Sequence, residues 1–62
     1  MTREKMINKL TTIRNKTKNS CIYITLCNYI NTLSSTTDNE YKEVEDFYIE
    51  TLHKFQKVVF KS

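Results

Sequence analysis

His53 and Cys27 are the residues best suited to chemistry in this chain of 62 residues. An imidazole base beside a thiol, with a carboxylate orienting the ring, is the arrangement that activates a cysteine nucleophile. The pattern around them argues against it. His53 falls off the apolar stripe that carries Leu52, toward the solvent-facing side of its helix, and no set of oxyanion donors can be picked out. It reads as a surface or interface histidine. Glu43, Asp46 and Glu50 follow one another at i, i+3 and i+7, and carboxylates at that spacing can bind a metal or do acid–base work. Here they sit on the polar face of the most amphipathic segment, with no histidine beside them, and read as a solvated face. No catalytic residue, metal site or cofactor is assigned, and the chain is read as non-enzymatic.

Cys21 and Cys27 are the two cysteines, six residues apart. On one helix they stand about 9 Å apart along the axis, beyond the roughly 7 Å that a disulfide spans between Cα atoms. There is no CxxC pair and no Cys/His cluster for zinc. Two unpaired thiols fit a reducing compartment, so a cytoplasmic protein is expected. The chain contains no Gly and no Pro. Gly-rich phosphate loops and dinucleotide fingerprints are thereby excluded. An all-β fold is disfavoured too, because its tight hairpin turns draw on Gly.

The charges divide unevenly. Residues 1–33 carry +5 and residues 34–62 carry −2, within a net charge of +3. Lys9, Arg14, Lys16 and Lys18 are candidates for phosphate contact, with Thr12, Asn8 and Asn15 near base edges. No helix-turn-helix signature accompanies them. A simpler account places the basic first segment beside the acidic start of the third, within one chain or across two copies.

These residues must be positioned by helices. From Thr2 to about Lys18, Met6, Ile7, Leu10 and Ile13 recur at helical spacing, with Thr2 as N-cap and Glu4 in the first turn. From Ser20 to Leu33 the stripe is Ile22, Leu26, Tyr29, Ile30, Leu33. Cys21 and Ile24 lie opposite it, which predicts a helix buried on several sides. A strand over residues 21–27 is the alternative, given the β-branched and aromatic content there. The stripes through Leu10 and Leu26 point in nearly opposite directions, so a break is expected at Thr17 to Ser20. Ser34 to Asp38 reads as a loop. Thr37 with Glu40 matches a capping box, opening a helix to about Phe60 with the stripe Tyr41, Val44, Tyr48, Leu52, Phe55, Val59. Acidic residues fill its first half, and Lys54, Lys57 and Lys61 its end.

The expected fold is one all-α domain over residues 1–62, with two shorter helices and a long third one. A chain this short buries only about 60% of its unfolded surface, so a homodimeric bundle is expected, with the second or third helices at the two-fold axis. The runner-up pairs a strand with its counterpart in another copy. No segment is long and apolar enough to cross a membrane, and no signal peptide is visible. Phe47, Ile49 and Phe60 lie outside the third helix's stripe, Phe47 on one flank and the other two on the opposite one, with Val58 beside Phe47. They are the expected contact set for a protein partner. The leading reading is a small regulatory or inhibitory protein that binds a host or cognate protein. Its Asn-, Lys-, Ile-, Tyr- and Thr-rich composition points to a phage, a mobile element or a low-GC bacterium. A DNA- or RNA-binding regulator using the basic first helix is the alternative.

Overall fold

The structure is a computed structural model that describes residues 1–60, so Lys61, expected at the basic end of the third helix, lies outside the described residues. The described residues form three helices and no strand: α1 (Arg3–Lys16), α2 (Ser20–Ser35) and α3 (Asp38–Val59). The strand alternative for residues 21–27 is overturned, because the whole stretch is inside α2.

Local chemistry explains each start. Thr2 caps α1 by accepting from the Lys5 amide at 3.2 Å. Asn19 Oδ1 accepts from the amides of Cys21 and Ile22 at 2.9 and 3.1 Å, which opens α2. Thr37 and Glu40 form the reciprocal capping box of α3. Each cap satisfies amides that have no partner inside the helix. The Thr17–Asn19 link breaks the chain where the two apolar stripes would otherwise conflict.

The second link is shorter than the sequence implies. Residues 34 and 35 are helical rather than loop, and only Thr36 and Thr37 separate α2 from α3. Ser34, Ser35 and Thr36 donate their hydroxyls to the carbonyls of Ile30, Asn31 and Thr32. Residues that favour turns through local hydrogen bonds here direct those bonds back into the preceding helical turn.

The core consists of Met6, Leu10, Ile13, Leu26, Leu33, Tyr41, Tyr48 and Leu52, with no buried charged or polar residue among the described ones. A fully buried side chain of this kind contributes about 1.5–3 kcal/mol. Arg3 hydrogen-bonds both the Leu33 carbonyl and Asp38, so α1 begins where α2 ends and α3 begins. The helices therefore run up, down and up in an elongated body of 35 × 17 × 15 Å. α1 packs closely against both other helices, whereas α2 and α3 keep their backbones apart.

That asymmetry corrects two expectations. α2 is not buried on several sides: only Leu26 and Leu33 are buried, while Tyr23 and Ile24 are 45% and 60% exposed. It has one close neighbour, α1, and the opposite side stays open. Val44, expected on the buried stripe of α3, is 40% exposed. It points about 60° away from the mean direction of Tyr41, Tyr48 and Leu52, toward the gap between α2 and α3.

Candidate interaction surfaces

α2 and α3 meet through rings. Tyr29 of α2 stands edge-on to Phe47, Tyr48 and Phe55 of α3, with centroids 6.2, 5.7 and 6.2 Å away. Phe47 also stands edge-on to Tyr48 at 5.3 Å. Such pairs prefer edge-to-face geometry and hold two helices together at a greater separation than aliphatic packing does. The result is a seam whose outer rim is unfilled. Phe47 is 53% exposed and Val58 61% exposed, with Val44 beside them, above the half-buried Tyr29 and Phe55. Helical arithmetic puts Val44, Phe47, Thr51 and Val58 on one α2-facing flank of α3. The α2 wall of the seam is uncharged, since Ser20–Ser35 contains no Asp, Glu, Lys or Arg. Burial raises the Tyr48 phenol above its ordinary pKa, with the neighbouring Tyr29 adding to the effect.

The expected contact set does not form one surface. Phe47 belongs to this seam. Ile49 lies on the α1-facing flank, is half-buried and packs against the core. That flank also carries Asp38 and Glu45, which meet Arg3 and the Met1 amine at 2.9 and 2.7 Å. Phe60 is the C-cap residue of α3 and is 49% exposed, more than a dozen residues along the chain from Phe47. Val44, Val58 and Tyr29 are the companions of Phe47. Val44 and Tyr29 are absent from the sequence-derived contact set because helical periodicity assigns both to the core. The lack of charge along α2 is the signal in the sequence that marks this side.

The basic residues also separate. Lys5, Lys9, Thr12 and Lys16 share the outer face of α1, and Lys9, Lys16 and Lys18 are exposed. Arg14 is turned away from them. Its guanidinium lies 5.7 Å from the Tyr23 ring centroid and 4.0 Å from Cys27 Sγ, and its Nε is buried without a partner. Arg14 thus serves the α1–α2 contact. The juxtaposition of basic α1 with acidic α3 is made at one end by Arg3 and Asp38, and Lys9, Lys16 and Lys18 take no part in it.

Cys27 is half-buried against Arg14, whereas His53 is exposed on α3, and no hydrogen bond joins them. Glu43, Asp46 and Glu50 are exposed along α3. Among the described residues, no three His, Cys, Asp or Glu side chains are grouped to hold a metal ion. No described helix is long and apolar enough to cross a membrane. Both cysteines are free thiols. Compared with protein-family models, curated proteins and solved structures, the chain finds no match in any of the three.

At the other end of the molecule, an open depression lies between Thr2–Lys5 and the first two turns of α3. Beneath it the Tyr41 hydroxyl is buried with no hydrogen-bond partner. Burial raises its pKa, and the Glu45 carboxylate adds to the rise. The rim mixes acidic and basic side chains, so the depression has no net preference for either sign of ligand.

Proposed function

We propose that this protein is a small, non-enzymatic regulatory or inhibitory protein that acts in the cytoplasm by binding a host or cognate protein. One observation carries the reading: the α2–α3 seam presents Val44, Phe47 and Val58 to solvent along a single flank, beside a helix without charge. Apolar side chains gathered on one flank mark interaction surfaces, whereas scattered ones need no explanation. A phage, a mobile element or a low-GC bacterium remains the proposed source. The test is affinity capture from such a host with the full chain. Phe47→Asp with Val58→Asp is expected to lose the captured protein while keeping its helical circular dichroism. Ile24→Asp, on the outer side of α2, is expected to keep it. Equal capture by all three chains removes the seam from consideration.

A nucleic-acid reading is favoured by a separate observation, the exposed row of Lys5, Lys9 and Lys16. Phosphate contacts release counterions, so any such affinity must fall steeply with salt. A mobility shift at low ionic strength that is lost on Lys9→Ala with Lys16→Ala supports it. The absence of any shift ends it.

A further inference from the structure

We infer that the α2–α3 seam is covered by a second copy of this chain, docked antiparallel along α3 about a two-fold axis near Thr51. The inference rests on the proposed reading that the seam is a protein-covered surface, and it makes a second copy, in place of a host protein, the occupant of that seam.

The argument is one of charge and register. Next to the apolar flank, on its outward edge, α3 carries Glu43, Glu50, Lys54 and Lys57. All four are exposed, and none joins an ion pair among the described residues. The two acids precede the two lysines along the helix. In an antiparallel helix pair, residues on one edge meet residues on the same edge of the partner. An antiparallel copy centred on Thr51 therefore brings Glu43 near the partner's Lys57 and Glu50 near the partner's Lys54, the two pairs being centred one residue to either side of Thr51. Each pair occurs twice by symmetry. The same register sets Val44 against the partner's Val58 and Phe47 against the partner's Phe55, with Thr51 meeting itself on the axis. A parallel copy instead sets this charged edge against the partner's opposite edge, the uncharged α2 side, and leaves all four charges unpaired. The apolar rows and the charged edge thus select the same orientation, with centres within one residue of each other, although nothing in the folding of one chain requires them to agree.

Scale is consistent with a specific interface. A standard interface takes about 800 Å² from each partner, roughly a sixth of this chain's 4556 Å². α3 runs 22 residues, about 33 Å at the helical rise, and the uncharged wall of α2 widens the contact beyond a single helix. A two-fold arrangement is also the commonest way for small chains to associate. Tyr29 lies beside Phe47, Tyr48 and Phe55, near the level of Thr51, so the partner covers its outer edge too.

The test exchanges charges without touching the core. At high micromolar concentration the full chain is expected to sediment at twice its 7.4 kDa mass. Lys54→Glu with Lys57→Glu makes the edge wholly acidic, and Glu43→Lys with Glu50→Lys makes it wholly basic. Each double variant alone is expected to sediment as one chain with unchanged helical circular dichroism. Mixed in equal amounts, the two are expected to form a one-to-one dimer. A single-chain mass for the wild type at native helicity overturns the inference. So does a dimer that survives either double variant alone, or a mixture that stays monomeric. If the wild type is monomeric yet Phe47→Asp with Val58→Asp still loses a captured protein, the second copy is refuted while the wider reading stands.

Discussion

Along the α1-facing flank of α3, Ile49 is drawn onto the core and Tyr41 and Leu52 are buried beneath it. Along the α2-facing flank, Val44, Phe47 and Val58 stay between 40% and 61% exposed. The residues are alike in kind, and what differs is the neighbour. α1 brings Met6, Leu10 and Ile13, whose slender side chains let two helices approach closely. α2 brings Tyr29, whose ring stands between the helices as a spacer. The face of a helix that buries its apolar residues is thus set by the width of what its neighbour inserts as well as by its own periodicity.

The sharpest way to break this contrast is to truncate one residue on each side. Leu10→Ala removes a fully buried side chain from the close-packed side and is expected to cost about 2–5 kcal/mol. For a domain of this size that approaches complete unfolding. Phe47→Ala, measured in dilute monomeric protein, is expected to cost about 1 kcal/mol or less. Thermal melts followed by circular dichroism compare them, and equal losses would show that the seam is as closed as the other side.

A second measurement asks how firmly α3 is anchored before either neighbour acts. Thr37→Ala removes the hydroxyl half of the capping box, leaving the backbone N–H bond to Glu40, and is expected to cost about 1 kcal/mol. Hydrogen bonds from the Thr37 backbone, and secondarily its side chain, hold the Glu40 carboxyl below its ordinary pKa. A lowered folded-state pKa gives stability that is present above the unfolded carboxylate value and lost as pH falls through the lowered one. The backbone bond survives in Thr37→Ala, so the gap from wild type should narrow in acid only by the smaller share that the Thr37 hydroxyl contributes. A gap that stays constant would mean the Thr37 hydroxyl has no part in holding the Glu40 charge.

The close-packed side has one flaw that a substitution can expose. Tyr41→Phe removes a buried hydroxyl that has no partner and is expected to raise stability by about 1 kcal/mol. The burial that raises the Tyr41 pKa favours its neutral form, so wild type loses stability as pH rises through that raised value. The phenylalanine variant lacks that loss, and its advantage should widen in alkali. A variant less stable than wild type at neutral pH would show that the hydroxyl is satisfied. The smallest effect expected is that of Asp38→Asn, which removes the ion pair with Arg3 and leaves the Arg3 bond to the Leu33 carbonyl in place. Asp38 is exposed, and such pairs contribute roughly 0–1 kcal/mol. A loss well above that would make this end of the bundle, rather than the core, the anchor of α1.

Much of the fold was legible because its determinants are local. Thr2, Asn19 and the Thr37–Glu40 pair mark helix starts by hydrogen bonds that reach only two or three residues. The run from Ser34 to Asp38 misleads for the same reason: its hydroxyls can form turns or bond back to their own helix, and the sequence does not distinguish the two. Val44 and Ile49 exchange their expected roles because periodicity gives a direction on a helix, and the neighbour's position decides whether that direction is covered. Phe47 was legible as off-stripe, but its grouping with Val44 and Tyr29 depends on where α2 comes to rest. Arg14 was grouped with the lysines by charge, and the Tyr23 ring and the Cys27 sulfur that hold it become neighbours only when α1 and α2 pack.

The back-bonded hydroxyls have one more consequence. Thr25, Thr32 and Thr36 each lend their hydroxyl proton to a carbonyl one turn earlier, which ties up the donor and leaves a methyl group to meet whatever approaches. A helix with seven Thr, Ser and Asn among its 16 residues is therefore drier to the touch than its spelling implies. A counterpart settling there has few waters to strip away and few donors to match, and tolerance of small shifts in alignment follows along that wall.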